Sequence, residues 1–377
     1  MTCTRRRILY AASVCMVPTL AWANDLHRRG FSPPGNRNGL LAAAESLLAG
    51  GRPVEALDAF ERIAATEHSA DVELSIVRAH MQAGAYRVAL AFCAHAAGAH
   101  PEFAAGTALY GILLFVGGQR TTALQTIAKS LLLHSDDRIL LAAQNFISDQ
   151  RPLFNSALLK APWRVAPYAS GSSVPKETRL IGTGYLLPSG DFAIIPHIAR
   201  KPTQKALVRN GLGQTSTVSI VAQGPALTLV KLLTPLTQPP KPFFAGRGVI
   251  AGSPSRLIHF MAQATHEAAW PILQSSFFRV LPQNEGLRPL GFTLDTESLG
   301  GPVFDQFGQV CGLAIREQDG SDRLLPMDEV AEHFLEPIES VDMLGVAGRV
   351  VSDTKVTNDL LYERSLLCVL QVFSSPT

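Results

Sequence analysis

The sequence predicts a chain in two parts, helical repeats followed by an all-β region, and two observations carry that reading. The first is a repeat. Gly51, Gly84 and Gly118 are spaced by 33 and 34 residues, and each is followed five and six positions later by an Ala-Leu pair: Ala56-Leu57, Ala89-Leu90 and Ala123-Leu124. The second is a change of texture after Pro152, where helical spacing gives way to short apolar runs broken by Gly, Pro and Ser. With 47% apolar residues among 377, the chain is long enough for two cores.

Ahead of both parts, Arg5, Arg6 and Arg7 precede an apolar stretch from Ile8 to Trp22 that closes on Ala21-Trp22-Ala23. A basic head, a short apolar middle and a small-x-small site make a secretory signal peptide. The stretch is interrupted by Pro18 and falls short of the roughly 20 residues of a spanning helix. Thr4 to Leu9 also resembles a twin-arginine export signal. Cys15 follows Val14, where a lipoprotein signal wants a small residue, so lipidation is not expected. The mature chain is expected to start at Asn24, in the periplasm or secreted, with no membrane span.

Cleavage leaves 30 basic against 31 acidic residues, and this balance points to neither nucleic acid nor anionic lipid as a partner. Only Cys93, Cys311 and Cys368 remain in an oxidising compartment. Their odd number and wide spacing argue against a disulfide framework and for small buried apolar residues. The expected organisation is a signal peptide at 1–23, a linker at 24–38, helical repeats at 39–150, a linker at 151–165, the β region at 166–338 and a tail at 339–377. Pro152, Pro162 and Pro167 make the second linker a candidate protease-sensitive hinge. The tail's apolar run, Leu366 to Phe373, reads equally as a strand or a short helix laid on either part.

Within the repeats, nine positions after each glycine stands an apolar residue: Phe60, Cys93 and Ile127. Each unit reads as helix, glycine turn, helix, with small residues letting the two helices approach. The pattern resembles the tetratricopeptide repeat. The aromatic residue usual in that family two places after the glycine occurs once, as Tyr86, with Pro53 and Arg120 in the other units. The resemblance implies either a protein-binding concave face or an interdomain strut.

In the β region, strands are expected at Arg179–Leu187, Phe192–Ile195, Thr217–Val221, Leu227–Leu233, Gly248–Ala251, Phe277–Leu281 and Val310–Ile315. Six landmarks then stand in order: Gly182-Thr183-Gly184-Tyr185; His197 after Ile194-Ile195-Pro196; Leu227 to Leu232; Gly252-Ser253-Pro254; Gly300-Gly301-Pro302-Val303 with Gly308 to Gly312; and Leu324 to Val330. Together they resemble the trypsin-like serine proteases, with the last seen in the HtrA-like branch. The resemblance implies a double β-barrel and assigns residues to a catalytic triad, which needs a hydroxyl, a histidine and a carboxylate.

His197 matches the base. The acid position is Ala226 and the nucleophile position, just before the structural turn Gly300-Gly301-Pro302, is Leu299. Glu297 stands where the family places a glycine that shapes the oxyanion hole, and its carboxylate would oppose developing negative charge. A bulge carrying Ser298 into place, with Asp295 as surrogate acid, is the route to an atypical endopeptidase that uses Ser298 and His197. The reading preferred on the residues is a protease fold that has lost its chemistry and binds a polypeptide partner through its cleft or its repeats. Scaffolding through the repeats alone is a further alternative.

There is no CxxC, HExxH, P-loop or GxGxxG opening a helix after a strand, and no cofactor or metal is expected. His95 and His100 lie five apart, not the four that places two ligands on one helix face, and read as solvated helix positions.

Overall fold

The computed structural model describes residues 37–149, 174–175, 177–198, 206–237, 245, 249–261, 269–280, 287–334 and 354–374. The expected signal peptide with Cys15, the first linker up to residue 36 and the whole second linker lie outside the described residues.

The repeat region is built from helices α1 (Arg37–Ala49), α2 (Pro53–Ala64), α3 (Ala70–Gln82), α4 (Tyr86–Ala99), α5 (Ala104–Val116), α6 (Arg120–Leu131) and α7 (Arg138–Asp149). The repeating glycine has a specific cause. Gly51, Gly84 and Gly118 have φ of 73°, 82° and 87°, a left-handed conformation costly for any residue with a Cβ. Each ends its helix in the same way. Gly51 N–H bonds Leu48 O and Arg52 N–H bonds Leu47 O, and the pattern recurs as Gly84 to Met81 with Ala85 to His80, and as Gly118 to Phe115 with Gln119 to Leu114. These paired bonds satisfy the last helical carbonyls and turn the chain into the next helix. Ala56, Ala89 and Ala123 are fully buried behind those turns, with Phe60, Cys93 and Ile127 below them.

The β region contains β1 (Arg179–Leu186), β2 (Phe192–Pro196), β3 (Ala206–Asn210), β4 (Thr215–Gln223), β5 (Leu227–Leu232), β6 (Pro254–His259), β7 (Ile272–Phe277), β8 (Arg288–Pro289), β9 (Pro302–Phe304), β10 (Val310–Arg316), β11 (Asp322–Pro326) and β12 (Val369–Ser374), with helices α8 (Met327–Phe334) and α9 (Asn358–Ser365). They form a closed barrel, β1-β12-β3-β4-β5-β2, and a six-stranded sheet, β7-β6-β9-β10-β11-β8. All pairings are antiparallel. Helical repeats leading into two six-stranded antiparallel sheets, one of them a closed barrel, match the helical-plus-all-β architecture expected from the sequence.

Two expected strands are corrected. Residues 249–253 form a turn, with Ser253 N–H bonding Ile250 O and Gly252 at φ 79°. Phe277 ends a strand that starts at Ile272, and residues 278–280 are not in it. Extended pairing runs between β6 and β7, with Pro254↔Phe277 through His259↔Ile272 in register. The polar positions Arg256, Gln274 and Ser275 interrupt the apolar runs by which strands are recognised in a sequence.

The apolar run of the tail is resolved as β12, which fills the barrel between β1 and β3. All six of its residues are buried. Arg209 of β3, itself buried, donates from Nε to Gln371 Oε1 of β12 at 2.8 Å and lies over the Phe373 ring.

The helices and the barrel share one hydrophobic core, which runs from Leu74 and Tyr86 through Leu113 to Leu273, Tyr362 and Val372. At the junction Tyr86 and Tyr362 pack edge to face at 4.5 Å between ring centroids, and Tyr362 Oη donates to Pro271 O at 2.8 Å. Gln82 Nε2 donates to Leu212 O, Gln119 Nε2 to Asp359 Oδ1, and the Arg87 backbone N–H to Glu363 Oε2. A smaller core, with Leu257, Phe278, Phe292, Val303 and Cys311, lies in the second sheet. Cys93, Cys311 and Cys368 are buried free thiols, and burial raises the pKa of each, that of Cys368 to about 12. No helix among the described residues is long and apolar enough to cross a membrane.

Candidate active site

The turn before β9 carries most of the residues of interest. Thr296–Ser298 form one 3₁₀ turn in which Ser298 N–H bonds Asp295 O and Leu299 N–H bonds Thr296 O. The backbone donor of Leu299 is therefore satisfied inside its own turn. Gly300 then takes φ 81° and reverses the chain into β9; a Cβ there would sit 2.3 Å from Thr183 O and 2.9 Å from Pro196. Gly300 N–H bonds Ala314 O and Gly301 N–H bonds Ser298 O. Pro302, the third residue of the structural turn, opens β9 and is buried.

Thr183 of β1 fastens this turn to both sheets. Its Oγ1 donates to Glu297 O at 2.6 Å and accepts from Phe260 N–H at 3.0 Å, while its own N–H donates to Leu299 O at 2.9 Å. The side chain of Glu297 is half-buried and that of Asp295 exposed.

His197 lies at the end of β2, exposed. Its backbone N–H bonds Ala226 O, and its Nδ1 lies 3.3 Å from Gly224 O. The fold thus brings His197 and Ala226 together, and the imidazole faces a backbone carbonyl. Ser298 is instead seated elsewhere: it is 2% exposed, and its Oγ lies 2.8 Å from Nδ1 of His259, the last residue of β6. The same Nδ1 lies 3.2 Å from Phe260 O. The tautomer that bonds this carbonyl carries its proton on Nδ1 and has no lone pair there to receive the proton of Ser298. Burial pushes the His259 imidazole below its ordinary pKa, against smaller opposing effects of the Phe260 carbonyl and Asp295. His259 was not singled out in the sequence. It closes a six-residue strand with no motif around it, and only the pairing of the sheet sets it beside Ser298.

A groove of about 550 Å³ opens between the Gly224–Leu227 turn of the barrel, to which His197 bonds, the Ile315–Asp319 end of the β10–β11 hairpin and Glu329, His333 and Phe334 of α8; His197 itself does not line it. Ala226 lines it.

No protein-family model matches the chain, and no curated protein matches it. Among solved structures it is similar to the MamO protease domain of Magnetospirillum magneticum in its apo form, at 18% identity and a TM-score of 0.34, covering 44% of this chain and 94% of that one. It is similar also to an inactive form of the Rv3671c protease of M. tuberculosis, at 15% identity and a TM-score of 0.34, covering 43% and 87%. A third is the serine endoprotease from Yersinia pestis, at 11% identity and a TM-score of 0.36, covering 45% and 64%.

Proposed function

We propose that this chain is an exported protein of trypsin-like fold that has lost its triad and binds an extended polypeptide segment in the groove beside His197. The observation that carries the reading is the bare end of β10. Ala314 uses its N–H and C=O on Gly301 and Gly300. By strand alternation the N–H and C=O of Arg316 face the same side, where no strand lies among the described residues. Opposite Arg316, Asp322 turns its carbonyl to Leu290 N–H and away from β10. A peptide adding along this edge would gain main-chain hydrogen bonds, with the groove taking its side chains.

The residue types around the groove support binding without cleavage. Ala226 cannot orient His197, Leu299 has no nucleophilic atom, and the neighbouring hydroxyl of Ser298 is buried against His259. The repeats, tetratricopeptide-like in pattern, serve in this reading as a strut, because their core is continuous with that of the barrel.

Unfolded casein is the probe. The purified protein should bind it, leave it uncleaved and resist labelling by a fluorophosphonate, which reports an activated serine. Ala226→Trp, which fills the groove, should weaken casein binding by at least about tenfold with no change in thermal stability. Labelling of the wild type that disappears in Ser298→Ala and persists in Ser275→Ala would install Ser298 as a displaced nucleophile and end this reading.

A further inference from the structure

The second helical repeat gathers three metal-ligating side chains from separate elements. His68 lies in the loop between α2 and α3, Glu73 in the first turn of α3 and His100 directly after α4. Nε2 of His68 is 2.8 Å from Oε1 of Glu73, and Nε2 of His100 is 3.6 Å from Oε2 of the same carboxylate. One ligand atom from each residue lies within 4.8 Å of the other two. The reading of His100 as a solvated helix position is therefore corrected: it lies past the helix end and its side chain is 16% exposed, while His95, within α4, is exposed as expected.

A second, independent observation points to a ligand. Glu73 is 4% exposed, and both its Oε2 and Nε2 of His100 are buried without a hydrogen-bond partner. A buried polar atom left unsatisfied has given up its hydrogen bonds to water without replacement, and the penalty is larger when the group is charged. A cation between these atoms would satisfy both.

We propose that His68, Glu73 and His100 bind one divalent transition-metal ion of the zinc class. Two imidazoles and a carboxylate suit such an ion, whereas calcium and magnesium take oxygen shells. Bonds of about 2.0–2.2 Å in a tetrahedron place ligand atoms roughly 3.3–3.6 Å apart; the 3.6 Å pair already has that spacing, and the 2.8 Å pair would open slightly, which the exposed His68 side chain allows. Glu102 Oε1 lies 3.6 Å from Nδ1 of His100, beyond hydrogen-bond distance, and adds a negative charge near the imidazole. His68 is exposed, which gives the ion a way in and leaves the remaining coordination position open to water. A bound ion would tie the α2–α3 loop, the start of α3 and the end of α4 together, and by binding only the folded state it would stabilise the array.

The test uses the full-length protein stripped with a chelator and titrated with Zn²⁺. One equivalent should bind, and the unfolding temperature should rise with Zn²⁺ concentration. Glu73→Gln and His100→Ala should each weaken binding by at least about tenfold, and His333→Ala on α8 should leave it unchanged. His68→Ala alters an exposed side chain and should fold like the wild type, so its loss of Zn²⁺ affinity reports on the site even if Glu73→Gln is unstable. Folded wild-type protein that takes up no stoichiometric Zn²⁺, or uptake unaltered by both His68→Ala and His100→Ala, would overturn the proposal.

Discussion

At the scale of single residues, the turn before β9 is held by groups whose replacement has calculable consequences. Thr183 joins β1, the 3₁₀ turn and the end of β6 through two hydroxyl hydrogen bonds. Thr183→Val keeps the shape, loses both bonds and leaves Phe260 N–H without its partner, so it should cost about 2 kcal/mol in denaturant unfolding. Gly300→Ala should cost at least about 2 kcal/mol, because its φ of 81° disfavours any Cβ and the added atom would meet Thr183 O. His259 gives a pH signature. Its folded pKa lies below the ordinary value of 6.5, so as pH falls through the unfolded-state value the unfolded chain takes up a proton that the folded chain resists. Stability should therefore decrease on acidification from pH 7 toward 5, and His259→Gln should flatten that slope in urea midpoints measured across the range.

At the scale of elements, the C-terminal segment links the two halves of the chain. β12 is an interior strand of the barrel, paired on both sides, and α9 just before it packs Tyr362 against Tyr86 of the repeats. A chain ending at Ser365 would leave β1 and β3 with unpaired edges and expose the apolar faces that Leu370 and Val372 cover. Such a truncation should bind a dye for exposed apolar surface and aggregate; a soluble, dye-negative product with the wild-type melting curve would show that β12 is dispensable.

At the scale of the whole molecule, repeats and barrel are expected to unfold together, since the larger core contains residues of both. Calorimetry should show one transition in place of separate ones for array and barrel. Nicking between residues 150 and 173 should yield fragments that still elute together. Two fragments that separate under native conditions would show that the continuous core contributes little to holding the parts in place.

Local rules were enough for much of this fold. The 33- and 34-residue glycine spacing marks the helix ends because only glycine adopts the left-handed turn at low cost, and this preference is local to each repeat. The strands β1, β2, β5 and β10 were legible because each is a short apolar run bounded by turn residues. The neighbourhood of His197 and Ala226 was legible too, through ordered landmarks. Three other features depend on contacts between segments distant in sequence: β12 closing the barrel 183 positions after β1 ends, Ser298 turned to His259, and His68, Glu73 and His100 converging on one point. A strand's partner and a buried side chain's neighbour are set by long-range packing, which no local pattern of residue types encodes, and so only the tertiary structure decided them.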